Sequence, residues 1–152
     1  GIRVDEHSLH TDGAGAGEYR GGSGAVRVYR SMNENQTFTA SFGRNKWPVW
    51  GAAGGKDGSV NYFQFIDADG TVSEPMGIAA RRVMNTNDVV RMVTATGGGY
   101  GNPFKRPAEK VAMDVKNEYI TVEQAKADYG VLVDPETFKV LGLTEERQKA
   151  EK

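Results

Sequence analysis

The chain has 152 residues, a mass of 16.5 kDa and a nearly even charge, with 19 basic and 20 acidic side chains. This length suits one domain of ordinary size. The isoelectric point of about 6.2 excludes the strongly basic class of nucleic-acid-binding domains, and the absence of Cys excludes disulfides and thiolate metal sites. No apolar run approaches the ~18 residues of a membrane span, so we expect a soluble, cytoplasmic protein that binds neither nucleic acid nor membranes.

Glycine is the unusual component, with 20 of 152 residues, about twice its usual share of ~7%. The glycines stand in blocks, and in the first block, residues 12–24, nearly every second or third residue is Gly. No apolar stripe of helical spacing accompanies them. Because glycine lets backbones approach closely, and a polyproline II-like conformation tolerates small residues, we predict irregular, extended segments here.

The β part of the sequence shows the two-residue alternation of half-buried strands. Residues 25–32 and 37–42 alternate around a polar turn at 33–36, which predicts a hairpin between them. Residues 61–66 and 71–72 flank a turn at Asp67–Gly70, where Gly suits a positive φ. Residues 89–95 form the last predicted strand and run directly into the glycine block at 97–101.

After Pro107 the apolar spacing becomes helical. Pro107 suits the first helical position, and one face of the predicted helix carries apolar residues four positions apart, namely Val111, Val115 and Tyr119.

A second helix is predicted from its two ends. Thr121 and Gln124 have the spacing of a capping box, and Gly130 is placed to end the helix. Residues 131–135 form a short extended stretch, and the polar sequence from Thr144 onward is expected to fray.

The glycine block that precedes the first helix invites comparison with phosphate-binding loops. A strand, a glycine loop and a helix follow in the order that anion binding at a helix N-terminus requires. However, the loop has neither the Walker register nor the dinucleotide pattern, since Asn102 replaces the third glycine. We therefore predict a structural bend and keep phosphate contact as the weaker alternative. The glycines concerned are Gly97, Gly98, Gly99 and Gly101.

Two other motifs suggest metal binding only weakly. His7 and His10 have a spacing of three, but no helical pattern surrounds them and a third ligand would have to come from elsewhere. The Asp67–Gly70 turn resembles the start of a calcium loop, yet it lacks Gly at the sixth position and Glu at the twelfth. Spacing also nominates no catalytic triad or carboxylate pair, so we predict no catalytic, cofactor-binding or metal-binding residue in this chain.

Two tryptophans, Trp47 and Trp50, stand close together beside the second glycine block. In a small domain such a pair belongs either to the core or to an interface, where Trp and Arg contribute a large share of the binding energy. We take these two residues, with Arg81 and Arg82, as the candidate interface.

The order of these blocks resembles the C-terminal region of the hydantoinase B / 5-oxoprolinase B-type family, which includes subunits of the acetone and acetophenone carboxylases. The resemblance reaches to about Val140, and members of this family are several times longer than this chain. The segments that carry it are 15–24, 28–30, 50–51, 54–58, 87–90, 97–103, 108–119, 121–125 and 129–133.

This resemblance implies a mainly β fold of barrel-like sheets with glycine-rich polyproline II-like segments and two or three short C-terminal helices. We expect a β-rich domain over residues 1–104. A short helical extension is expected over residues 105–152, packed on that domain or on a partner subunit.

The resemblance further implies a small subunit, or a fragment, of a multi-subunit ATP-dependent ketone carboxylase (a ligase). The most similar type is acetophenone carboxylase, which would convert a ketone and bicarbonate to a β-keto acid. The chain would have a structural or interface role and would not be catalytic alone. Larger hydantoinase A-like and hydantoinase B-like subunits would hold ATP, Mg or Mn and bicarbonate. The alternatives are a part of a hydantoin or 5-oxoproline ring-opening amidohydrolase complex, and a free-standing β-rich binding domain.

Overall fold

The computed structural model describes residues 1–150 and confirms a mainly β chain with few helices. Eight strands, three α-helices and a short 3-10 helix at Pro103–Lys105 follow one another along these residues. The strands are β1 (Ile2–Leu9), β2 (Ala25–Ser31), β3 (Gln36–Ser41), β4 (Tyr62–Ile66), β5 (Ile78–Met84), β6 (Val89–Val93), β7 (Val131–Val133) and β8 (Val140–Leu143), and the helices are α1 (Ala108–Lys116), α2 (Val122–Tyr129) and α3 (Glu145–Ala150). Among the described residues, no helix is both long and apolar enough to span a membrane.

The main sheet has four antiparallel strands in the order β1-β2-β6-β4. Its register places Tyr29 of β2 and Phe65 of β4 on either side of Val90 of β6. The predicted hairpin between residues 25–32 and 37–42 is wrong, because β2 pairs with β1 and β6, whereas β3 pairs with β5. The alternation correctly indicated strands, but it fixes which face a side chain occupies and not which strand lies alongside.

The β3–β5 pair contributes to an aromatic core on one face of the main sheet. Phe63 and Phe65 are buried there, and Phe38 of β3 meets both rings edge-on, with ring centroids 5.5 and 5.4 Å away. Such edge-to-face contacts add to the stabilisation from apolar burial. The turn predicted after β4 is present: Gly70 has φ +90° and donates its N–H to Asp67 O at 2.8 Å.

A second core lies among the C-terminal elements. Helices α1 and α2 pack with β7 and β8 around fully buried side chains that include Val111, Ile120, Ala125 and Tyr129. Ala16, from the first glycine block, is 1% exposed and belongs to this same core. The C-terminal elements are thus closed in part by a residue nearly 100 positions earlier in the chain.

The helix ends agree with most of the predicted caps. Thr121 Oγ1 accepts from the N–H of Gln124 at 3.1 Å, and Gly130 ends α2 with φ +63°. The return bond of the capping box is absent, because the Gln124 amide donates to Asp12 O at 3.2 Å. The N–H of Thr121 is instead satisfied by Asp12 Oδ1 at 2.6 Å.

Helix α1 begins later and ends earlier than its spacing suggests. Pro107 is the N-cap and not the first helical residue, and the helix stops at Lys116, so Tyr119 lies beyond it. Glu118 has φ +59°, a left-handed conformation that turns the chain away from the helix axis.

The fraying expected from Thr144 onward is wrong for residues 145–150. They form α3, and Arg147 on this helix is only 4% exposed. Its guanidinium donates to Tyr129 O at 3.0 Å and to Arg106 O at 2.9 Å. A polar residue on a polar helix is therefore buried because it satisfies main-chain carbonyls, which helical periodicity does not reveal.

Candidate functional site: a glycine junction beneath an aromatic surface

Three glycine-rich segments, residues 13–24, 51–58 and 97–101, lie side by side and form what we call the glycine junction. Main-chain hydrogen bonds join each segment to the others: Gly15 N to Gly97 O at 2.9 Å, Lys56 N to Ala16 O at 2.7 Å, and Ala52 N to Gly99 O at 2.9 Å. The backbone groups of these segments therefore find partners without belonging to a regular sheet.

Close approach of the backbones explains the glycine content. A Cβ on Gly99 would overlap the carbonyl of Ala16, and one on Gly21 would overlap the carbonyl of Gly97. A Cβ on Gly98 would meet the carbonyl of Trp50. These neighbours are backbone atoms, which cannot rotate away as a side chain would, so the junction admits only glycine at these positions.

The same hydrogen bonds answer the phosphate-loop alternative. The N–H groups of Gly97, Gly99, Tyr100 and Gly101 donate to the carbonyls of Gly22, Lys56, Tyr19 and Ala52, each at 2.9 Å. A phosphate-binding loop needs such N–H groups free to point at the anion. These four donors are already used in holding the junction together, which suits the structural bend and leaves phosphate binding unsupported.

Exposed aromatic rings lie along the junction and form what we call the aromatic surface. Its members and their exposed fractions are Tyr19 (64%), Trp47 (79%), Trp50 (75%) and Tyr100 (58%). The rings of the two tyrosines lie 6.3 Å apart at a tilt of 55°, and their main chains form an isolated antiparallel bridge. The core alternative for the two tryptophans is therefore wrong, while their role at an interface stays a prediction.

The sequence did not single out Tyr19 and Tyr100. Each stands within or just after a run of glycines, where small neighbours leave a large ring uncovered. An aromatic residue inside a glycine block is the only feature that could have indicated them.

Arg81 and Arg82, the other candidate interface residues, lie on β5. Arg81 has φ +52° where the pairing of β3 with β5 shifts register, and its N–H donates to Thr39 Oγ1 at 3.0 Å. The Arg82 guanidinium forms an ion pair with Asp67 at 2.9 Å and lies 5.2 Å from the centroid of the Phe65 ring. Arg82 thus already has partners within the chain, whereas both tryptophans present their rings to solvent.

A buried ionic network fastens the junction to the C-terminal core. Asp114 of α1 accepts from Arg106 at 2.8 Å and lies 3.5 Å from Arg20 Nε, in the first glycine block. Arg106 also donates to the Glu18 carbonyl at 3.0 Å, and the Arg20 guanidinium lies 4.7 Å from the centroid of the Tyr119 ring. Because these charges are shielded from water, losing one partner costs far more than breaking a surface ion pair.

Tyr129 lies beside this network, fully buried. Burial raises the pKa of its hydroxyl to about 12, the charge of Asp114 raises it further, and the positive charge of Arg106 acts in the opposite direction. The hydroxyl forms no well-oriented hydrogen bond within residues 1–150. Tyr129 is therefore a neutral core residue at physiological pH.

A polar cleft of about 430 Å³ borders the other side of the junction. Lys56 Nζ and Asp128 Oδ1 are 2.5 Å apart across it, and Gln124 donates to the second oxygen of Asp128 at 3.1 Å. His10 also lines this cleft, but His7 lies on β1, so the two histidines do not share a helical turn. Over residues 1–150 there is no group of three or more His, Asp or Glu side chains arranged to hold a metal ion.

These features define a class of protein: a mainly antiparallel β chain whose glycine junction carries exposed aromatic rings and is fastened to a small helical core. Residues 1–103 match the family model described as hydantoinase B/oxoprolinase. Because this match covers more than half of the chain, the chain belongs to the hydantoinase B/oxoprolinase family.

Two relatives share about a third of the aligned residues. The chain is 31% identical over 134 residues to a protein of Pseudomonas sp. designated as the B component of a D-/L-hydantoinase, covering 87% of this chain and 22% of the relative. It is 30% identical over 149 residues to the β component of the caprolactamase of Pseudomonas jessenii, covering 88% of this chain and 23% of the relative. The chain thus spans less than a quarter of the length of these relatives.

Solved structures show the same fold. The ATP-dependent caprolactamase of P. jessenii superposes with a TM-score of 0.76 at 29% identity, covering 98% of this chain and 26% of the other. An acetone carboxylase in its nucleotide-free form superposes with a TM-score of 0.75 at 18% identity, covering 98% of this chain and 24% of the other. At the latter identity the likeness is one of fold alone.

Proposed function

We propose that this chain is an interface unit of a multi-subunit, ATP-dependent enzyme of the hydantoinase B/oxoprolinase family, and that the chemistry takes place on larger subunits. The observation that carries the proposal is the aromatic surface. Trp47 and Trp50 are both at least 75% exposed, and large exposed aromatic groups are the usual anchors of protein interfaces.

The glycine junction makes this surface suitable for binding. The main chains beneath Tyr19, Trp50 and Tyr100 are held by close contacts and by hydrogen bonds between segments. A surface that is already ordered loses little conformational entropy when a partner binds. The buried Arg20–Asp114–Arg106 network extends this rigidity to the C-terminal core.

The partners we propose are larger hydantoinase A-like and hydantoinase B-like subunits. The relatives are about four times as long as the matched region, which leaves ample chain for such partners to supply. ATP, Mg or Mn and, for a carboxylase, bicarbonate would bind to those subunits. The described residues of this chain do not fit a metal or a phosphate, since they contain no ligand cluster and the junction N–H groups are engaged.

Two reactions are candidates for the complex. Hydrolytic opening of a cyclic amide, the alternative reaction named from the sequence, is favoured by the relatives at 29–31% identity, whose names refer to hydantoin and caprolactam. Carboxylation of a ketone such as acetophenone, the reaction expected first, is supported by the fold likeness to acetone carboxylase. We propose the cyclic amide as the first substrate class to test.

Binding tests the interface. The chain is titrated with the hydantoinase A-like and B-like subunits of its own organism, and a Trp47→Ala/Trp50→Ala variant is compared with Leu141→Ala, which truncates another apolar side chain that is 68% exposed. Truncating interface anchors costs about 2 kcal/mol or more, or roughly 30-fold in affinity. Equal weakening by both variants, or by neither, contradicts the proposal.

Turnover separates the two reactions. The reconstituted complex is supplied with ATP and either hydantoin, 5-oxoproline or caprolactam, or with acetone or acetophenone plus bicarbonate, and phosphate release is followed. We expect substrate-dependent ATP hydrolysis with a cyclic amide and only with all subunits present. ATP turnover by the purified chain alone would refute an interface role.

A further inference from the structure

The main sheet has one strand that nothing covers. Every residue of β1 is exposed, on both faces of the strand, and β1 stands at the end of the strand order β1-β2-β6-β4. An edge strand of eight residues with an uncovered apolar face is unusual, because proteins normally shorten, charge or cover such edges to prevent unwanted pairing.

The register shows which backbone groups point away from the sheet. Met32 N donates to Gly1 O at 3.0 Å and His10 N donates to Gly24 O at 2.9 Å, so both ends of β1 begin with a hydrogen-bonded pair. Because such pairs alternate with non-bonded pairs along an antiparallel ladder, Arg3 and Ser8 face β2. The N–H and C=O groups that point outward belong to Ile2, Val4, His7 and Leu9.

The side chains of these same outward positions lie on one face, since cross-strand partners share a face. Three of them are apolar and well exposed: Ile2 at 67%, Val4 at 57% and Leu9 at 50%. Val4 pairs with Tyr29, whose face carries the aromatic core. An apolar cavity of about 210 Å³, lined by Ile2, Tyr29 and Met84 among others, continues this face beneath the β3–β5 pair.

We propose that β1 receives an additional antiparallel or parallel strand from the hydantoinase B-like partner subunit, which extends the main sheet across the two chains. This inference rests on the proposed function and concerns a surface separate from the aromatic surface. The free edge supplies main-chain hydrogen bonds, and the apolar face supplies pockets for alternate side chains, the two components of recognition by strand addition.

The occupant follows from the extent of the family match. The match includes β1, since it covers residues 1–103, while about three-quarters of the length of the relatives lies outside the region that aligns with this chain. The polypeptide that supplies that remaining length has the segments needed to complete a family sheet. The incoming strand should place apolar side chains at every second position, opposite Val4 and Leu9.

Amide exchange tests this directly. In the isolated chain, the outward N–H groups of Val4, His7 and Leu9 should exchange rapidly, while those of Arg3 and Ser8 are protected by β2. In the complex with the partner subunits, the three outward groups should slow by at least tenfold, giving protection along the whole strand. If the complex forms but these three groups exchange as rapidly as before, strand addition is wrong and the proposed function stands.

A proline variant provides the second arm. Val4→Pro removes an outward N–H without removing a bond to β2, a change that edge strands tolerate, and Val4→Thr is the control because it keeps both the N–H and the β-branched shape. We expect Val4→Pro to weaken binding of the partner at least tenfold and Val4→Thr to leave it within threefold. Protection that rises with concentration of the isolated chain would mean that a second copy occupies the edge, and failure of any complex to form would overturn both proposals.

Discussion

The glycine junction and strand β1 use extended backbone in opposite ways. In the junction, three segments satisfy one another's N–H and C=O groups, and the approach is so close that even a methyl group would collide with a carbonyl. Along β1, one side of the backbone has a partner and every side chain is exposed. The comparison teaches that the closed region depends on the absence of side chains and on buried charge, whereas the open region is left free for a partner. Substitutions in the two regions should therefore have different consequences.

The largest effect is expected from the ionic network of the closed region. Asp114→Ala leaves Arg20 and Arg106 without a carboxylate in a buried setting, and removing one member of such a group typically costs about 3–5 kcal/mol of unfolding free energy. Urea denaturation measures the loss. The matched change on the open strand is Asp5→Ala, which breaks exposed ion pairs with Arg3 and Arg30 and should cost much less. Equal losses would contradict the contrast between the regions.

Adjacent glycines give the next largest effect. A Cβ on Gly21 would overlap the Gly97 carbonyl, whereas a Cβ on Gly22 meets nothing within 4 Å. We expect Gly21→Ala to destabilise the chain by about 3 kcal/mol, the upper range for overpacking, and Gly22→Ala to change stability by no more than about 0.5 kcal/mol. Thermal denaturation of both variants tests the pair, and a neutral Gly21→Ala would show that the close approach is not required.

A third test uses alkaline pH. The pKa of Tyr129 is raised to about 12 from an ordinary value near 10, so the folded state holds this proton more tightly than the unfolded state. The resulting stability is complete below pH 10 and is lost as the pH rises from 10 to 12, in total about 2 kcal/mol.

Tyr129→Phe isolates this contribution. Since the hydroxyl lacks a well-oriented hydrogen bond, we expect stability at pH 7 to stay within about 1 kcal/mol of the original. Between pH 10 and 12 the variant should lose less stability than the parent chain. Parallel curves for the two proteins over that range would contradict the buried, neutral state of Tyr129.

The smallest effect concerns the cap of α2. Thr121→Ala removes the acceptor for the N–H of Gln124 and should cost about 1 kcal/mol. Thr121→Ser keeps the hydroxyl and serves as the control, with little change expected. Because Asp12 also bonds the N–H of Thr121, a double substitution with Asp12→Ala should exceed the single loss, as denaturation curves would show.

Much of the fold could be predicted from local patterns, but strand partners could not. The alternation at 25–31 and 62–66, the turn at Gly70 and the αL cap at Gly130 each depend on nearby residues, and the structure has all four. The pairing of β2 with β6 brings together residues some 60 positions apart, which no local pattern encodes. Likewise, the burial of Arg147 depends on carbonyls contributed by Tyr129 and Arg106.

The candidate site was predicted in part. The glycine blocks indicated close backbone contact, and the tryptophans were recognised as possible anchors, but their exposure is a property of the folded chain. Tyr19 and Tyr100 come together through a bridge between distant segments, so their shared surface is visible only in three dimensions. Strand β1, exposed at every position, lacks the burial that makes a strand pattern informative.

Native mass spectrometry of the chain recovered gently with its partners tests the central claim most directly. We predict a complex in which the 16.5 kDa chain is bound to larger hydantoinase A-like and B-like subunits, and which dissociates when Trp47 and Trp50 are both replaced by Ala. A 16.5 kDa species free of larger subunits, or a complex that assembles equally well without the two tryptophans, would contradict it.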